Sequence, residues 1–204
     1  MLVLILVLGC HSLISAQTQR LRVRHDLGGD FILNGHHGEP VGLKDFRGKI
    51  VLLYFGYTTC PDICPATLSH LKLLMHRLET QQDRMQVLFI SIDPERDTLE
   101  RLNDYLPFFH PSFLGLRGSE LETRETARLY RVKYFREYTD SSAGYSMAHT
   151  DAVFLLDHFG RYRGRYQTRW ALEDLVQDVR LLLASAESSG VRRSLLVPHR
   201  LLKF

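Results

Sequence analysis

No stretch of this 204-residue chain approaches the roughly 20 consecutive apolar residues that a membrane-spanning helix needs. The apolar run at 2–9 is eight residues long, which suits the hydrophobic region of an export signal. A large excess of one sign of charge is missing as well. A formal net charge of +3 lacks the clustered basic face that phosphate binding demands, and this excludes nucleic acid as a partner. Nor is the chain poor in hydrophobic residues, as disordered segments are, since 45% of its residues are hydrophobic and 24% charged. Most of it should fold, and its length suits one core with appendages rather than two domains.

Cysteine is also rare, and the three present cannot all pair with one another. Cys10 stands alone at the end of the apolar run, whereas Cys60 and Cys64 sit together. Val7, Leu8, Gly9 and Cys10 resemble the bacterial lipoprotein cleavage box, in which the signal is removed before a cysteine that carries lipid. Cys10 is therefore a lipidation candidate that would tether the protein to a membrane. No Lys or Arg precedes Arg20, a departure from ordinary signals, and cleavage after Ala16 or an uncleaved anchor are the alternatives. Each places the domain outside the cytoplasm, in a bacterial periplasm. The chain then divides into a signal at 1–16, a tether at 17–30, a folded domain at 31–183, and a linker with a basic tail at 184–204. The tail from 191 onward has four basic and no acidic residues, a composition shared by lipid-touching and disordered segments.

Within the domain, 31–33 and 41–43 read as an opening hairpin, with Asn34 and Gly35 supplying turn chemistry. Ile50 to Phe55 is a continuous apolar run suited to a central strand buried on both faces. Pro65, at a favoured first helical position, then opens a helix marked by Leu68, Leu71, Leu74, Met75 and Leu78. A second buried strand at 86–92 leads through Asp93, Pro94, Glu95, Arg96 and Asp97 into a helix near 99–106, with Asp97 as its cap. Ser119 and Glu122 form a capping box for a helix to about residue 131, after a short strand at 113–116. An antiparallel pair at 152–156 and 162–166 and a helix from Leu172 to Leu183 complete the order β-α-β, then β-β-α, of a thioredoxin-like α/β domain.

The chemistry concentrates at Cys60 and Cys64. Two thiols four residues apart at a helix N-terminus lie on one face, about one turn from each other. The helix dipole and its unpaired N–H groups favour the thiolate, which is both nucleophile and metal ligand. Their Cα atoms, about 6 Å apart, also suit a disulfide, so metal binding and redox exchange both stay open. A purely structural bridge would close too short a loop to stabilise much. With no further cysteine nearby, Zn²⁺ lacks its usual four ligands, whereas Cu(I) accepts two or three soft ones.

Tyr54 to Pro65, which contains both cysteines, and Ser91 to Thr98 resemble the signature stretches of the Sco/SenC family of copper chaperones, and the likeness runs from about residue 31 to 183. It implies a thioredoxin-like fold, a central mixed sheet flanked by helices with an N-terminal hairpin extension. It further implies that Cys60, Cys64 and His149 ligate one copper ion, as Cu(I) or, with a weak further ligand, Cu(II), and that a loop carries His149 to the cysteine corner. The family commonly has Asp where this chain has Ala148, which leaves Asp62 as the candidate outer-shell acid. Without the likeness, His149 would be one histidine among ten; His36 and His37 in a glycine-flanked turn read as surface residues.

The implied function is delivery of copper to the binuclear site of cytochrome c oxidase subunit II, or another extracytoplasmic copper protein, or reduction of that site's cysteines. It requires no turnover chemistry. The rival is an exported thiol-disulfide oxidoreductase served by a thiol reductant, in which Cys60 attacks a partner disulfide and Cys64 resolves the mixed intermediate.

Overall fold

The computed structural model describes residues 21–140, 144–167 and 172–188. Nine strands and four α-helices follow one another: β1 (Ile32–Gly35), β2 (Pro40–Gly42), β3 (Ile50–Gly56), α1 (Ile63–Arg77), β4 (Met85–Ser91), α2 (Leu99–Tyr105), β5 (Leu114–Arg117), α3 (Glu120–Leu129), β6 (Tyr134–Tyr138), β7 (Tyr145–His149), β8 (Ala152–Leu156), β9 (Tyr162–Gln167) and α4 (Leu172–Ser188). Every residue of β3, β4 and β8 is buried, as strands covered on both faces must be. β3 and β4 run parallel, Ile50 opposite Met85, while β8 is antiparallel on the other side of β3. The main sheet has the order β2-β1-β5-β4-β3-β8-β9, a mixed sheet flanked by helices in the thioredoxin-like manner. α1 and α4 pack together and are joined at their surface by Arg77 and Glu173 at 2.7 Å. No described helix is long and apolar enough to cross a membrane.

Several boundaries differ from those read in the sequence, each for a local reason. Asn34 and Gly35 lie in the β1 ladder rather than in the hairpin turn. The chain reverses over 36–39, where Gly38 adopts the left-handed φ of 96°. β1 also pairs with β5, so this hairpin forms an edge of the main sheet. α1 begins at Ile63, making Pro65 its third residue, still within the first turn where a missing N–H costs no intrahelical bond. The cap of α2 is Thr98, whose hydroxyl accepts from the Arg101 N–H at 3.1 Å; Asp97 is buried elsewhere. α4 continues past Leu183 to Ser188, because Ala186 is buried and Glu187 meets Arg84 at 2.8 Å.

From Leu21 onward the segment expected to be a tether packs against the domain. Leu21 is buried, its carbonyl accepts from Arg163 Nε at 2.6 Å, and the Gly28 N–H donates to the Leu129 carbonyl at 2.9 Å. The signal and Cys10, and the tail from residue 189, lie outside the described residues.

A two-stranded ribbon of β6 and β7, separate from the main sheet, was not apparent from the sequence. Tyr134 pairs with His149 at one end and Tyr138 with Tyr145 at the other. This ribbon carries His149.

Candidate metal centre

Cys60 lies in the loop between β3 and α1, and Cys64 is the second residue of α1. The first turn of a helix has N–H groups without intrahelical acceptors, and one of them, on Cys64, donates to Cys60 Sγ at 3.4 Å. Cys64 is fully buried and Cys60 half-buried, both as free thiols. Cys64 Sγ accepts from the Tyr54 hydroxyl at 3.5 Å. β3 can pass beneath this sulfur only because residue 56 is glycine: a Cβ there would stand 3.1 Å from Cys64 Sγ and 2.8 Å from the Phe89 ring.

His149 closes the third side, with Nε2 3.6 Å from Cys64 Sγ. Nδ1 lies 3.1 Å from the Thr150 carbonyl. A carbonyl can only accept, so Nδ1 donates to it, and Nε2 is the ring nitrogen turned toward the sulfurs, where it can ligate a metal. The rings of Tyr54 and Tyr57 flank the imidazole at 6.2 and 6.1 Å. The structure places the three predicted donors at one corner, with His149 the last residue of a strand rather than on a loop; as they stand, no three such side chains among the described residues form a group set to hold an ion.

The two sulfurs are electrostatically unlike. A hydrogen bond from the Cys64 thiol, a further one from His149, and the backbone N–H groups of Cys64 and Asp62 hold Cys60 well below the usual thiol range, outweighing its partial burial. Cys64 is pushed up, first by donating that hydrogen bond to Cys60, then by burial and by the Cys60 charge. Cys60 is thus a thiolate at neutral pH and Cys64 a thiol. Iodoacetamide should modify Cys60 at a rate nearly flat from pH 5 to 8, because its ionised fraction is already complete there. An ordinary cysteine, with a pKa of about 8.5, would gain roughly 10³-fold over the same range. Mass-spectrometric timing of Cys60 alkylation checks this, and a rate climbing tenfold per pH unit would contradict it.

One stretch holds both halves of the site in register, a role that its reading as strand exit and helix cap missed. The buried Asp97 carboxylate accepts from the Thr58 N–H at 3.1 Å, from the Thr58 hydroxyl at 2.5 Å and from Ser91 Oγ at 2.7 Å, fixing the loop before Cys60. Asp93 accepts from the Tyr145 hydroxyl at 2.9 Å and from Arg96 Nε at 2.5 Å. Arg96 in turn donates to the Tyr145 carbonyl at 2.9 Å and stacks on its ring at 3.7 Å. Tyr145 starts the strand that ends at His149. The available sequence signal was alternation, since Tyr145, Met147 and His149 are separated by the small Ser146 and Ala148.

The other candidates stand apart. Asp62 is the residue before α1, and its carboxylate is exposed; its backbone N–H is what reaches Cys60. His36 is buried rather than on the surface, accepting the Gly115 N–H on Nδ1 at 3.2 Å; burial and neighbouring His37 lower its pKa to about 4.

Residues 19–184 match the family described as SCO1/SenC. The chain belongs to the SCO1/SenC family. A mitochondrial SCO2 homolog of Mus musculus is 38% identical over 174 residues, covering 84% of this chain and 68% of that protein. The human mitochondrial SCO1 homolog is 40% identical over 144 residues, 66% of this chain and 48% of its own length. The chain thus spans about two thirds or less of these mitochondrial relatives. Among solved structures, Bradyrhizobium japonicum ScoI with copper bound superposes with a TM-score of 0.71 at 34% identity, covering 77% of this chain and 99% of the other. Yeast Sco1 with copper bound gives 0.70 at 31% identity, over 83% and 96%.

Proposed function

We propose that this protein carries one copper ion between Cys60, Cys64 and His149 and hands it to another extracytoplasmic copper protein, the binuclear site of cytochrome c oxidase subunit II being the acceptor implied by the family. The observation that carries this is the approach of His149 Nε2 to within 3.6 Å of Cys64 Sγ. A metal with bonds of about 2.3 Å to sulfur and about 2.0 Å to nitrogen holds such donors at about that separation. Two sulfurs and one imidazole form a soft set suited to Cu(I). The copper-bound structures of family members agree with the choice of metal. Release proceeds by ligand exchange: the half-exposed Cys60 is displaced first by an incoming acceptor thiolate, and the buried Cys64 lets go last. Titration of the reduced protein with Cu(I) against a competing chelator tests this, with one tight equivalent per chain as the expected result.

Thiol-disulfide exchange by the same pair is the second reading, favoured by the low pKa of Cys60 beside a protonated Cys64. Attachment to a membrane through a lipid on Cys10 is part of the proposal. Cys10→Ser should abolish lipid-dependent processing. An intact mass with Gln17 at the mature terminus and no acyl group would reject attachment in favour of plain export.

A further inference from the structure

A groove of about 970 Å³ separates α3 from β6. Its apolar lining includes Ile92, Ala127, Val132 and Met147, all buried, and the ring of Phe135, which is 59% exposed. Six cationic side chains line it against two carboxylates, Glu95 and Glu120. Arg136 is taken by Glu95 at 2.6 Å, Arg124 by Glu120 at 3.4 Å, and Arg131 reaches Asp26 at 3.2 Å. Arg117 donates to the Pro94 carbonyl at 2.7 Å. Arg128 and Lys133 are exposed and have no acidic partner among the described residues. The groove is therefore apolar below and cationic around.

Tyr134, Phe135 and Arg136 all line this groove. Side chains alternate across a strand, so a groove bordered by three consecutive residues reaches the edge of β6, and Met147, the register partner of Arg136, shows that it continues onto the ribbon face these residues share with Tyr134 and His149. Among the described residues β6 pairs with β7 alone, and its second edge carries unpaired N–H and C=O groups. An exposed edge beside an apolar floor is where an extended segment adds as a strand, its backbone giving affinity and its alternate side chains specificity.

We propose that this groove takes an extended acidic segment of a partner protein, added to β6 with apolar side chains on the Val132 and Met147 floor and carboxylates toward Arg124, Arg128 and Lys133. The chain's own tail beyond residue 190 does not suit it, having four basic and no acidic residues. The position matters because Tyr134 is the register partner of His149 and Met147 lies two residues before it. A segment seated here brings its protein to the strand pair that carries the third donor. Its use in copper transfer rests on the proposed function; the docking does not.

The test uses full-length, metal-free, reduced protein and a labelled nine-residue peptide alternating glutamate with valine, with lysine replacing glutamate in the control. Fluorescence anisotropy should show binding of the acidic peptide alone, weakening with salt, and backbone amide signals of β6 should shift. Arg124→Glu with Arg128→Glu, both on an exposed helix face, should weaken it roughly tenfold or more while Cu(I) affinity stays unchanged. Absence of binding, equal binding of the lysine peptide, or indifference to the double substitution would overturn the proposal. If phosphatidylglycerol vesicles bind through the same arginines and the peptide does not, the groove serves a lipid headgroup instead.

Discussion

Cys64→Ala and Cys60→Ala should each lower Cu(I) affinity by roughly 10²–10³-fold. Structural zinc sites with four ligands release about 10–16 kcal/mol, or about 2.5–4 kcal/mol per ligand, and each 1.4 kcal/mol is tenfold. No other described cysteine can take over, because Cys60 and Cys64 are the free thiols of the domain. The two variants should differ in stability. Cys64 is fully buried against Tyr54 and Gly56, so its truncation leaves a small void and deprives the Tyr54 hydroxyl of its acceptor. Cys60 is half-buried, so its truncation leaves less void, although the Cys64 N–H and thiol lose their acceptor at the start of α1. Thermal unfolding alongside chelator competition separates the effects: Cys60→Ala should lose copper with a smaller loss of stability than Cys64→Ala. Wild-type affinity in either variant would remove the site as proposed.

How far the sequence could be read depended on how locally each feature is determined. β3, β4 and β8 were legible because strands buried on both faces need unbroken apolar residues. The Ser119 capping box was legible because it is closed within four residues, Glu122 accepting from the Ser119 N–H at 2.7 Å. The Cys60 and Cys64 corner was equally visible, since a strand exit and a helix start fix it. His149 was different, for its partners Cys64 and Tyr134 are remote in sequence and its strand is half-exposed and without an apolar run. Only the family likeness selected it from ten histidines. Asp97 was misassigned for the same reason, because an acid before a helix reads as a cap, and its actual partner, Thr58, is 39 residues away. Leu21 gave no signal at all: a single leucine in an arginine-rich segment looks solvated until Arg163 and β9 are seen beside it.

His149→Ala should weaken Cu(I) binding by roughly 10²-fold while Cys60 and Cys64 still form and break their disulfide. The imidazole supplies the third donor through Nε2, oriented by the Thr150 carbonyl on Nδ1, and thiol exchange consumes no such donor. Exchange is not wholly indifferent to it, because His149 contributes one of the hydrogen bonds that stabilise the Cys60 thiolate. The larger contributor is the Cys64 thiol, and the backbone N–H groups of Cys64 and Asp62 remain, so Cys60 should stay ionised at neutral pH. Removing the ring also leaves Tyr145 clamped by Asp93 and Arg96, so the ribbon should keep its place. Two measurements on one variant then divide the readings: chelator competition for Cu(I), and the rate of reduction of the oxidised protein by a small dithiol. Lost copper with retained exchange supports the carrier. If the variant holds copper as tightly as wild type but exchanges slowly, His149 serves the cysteines as a thiolate partner, and the oxidoreductase takes the carrier's place.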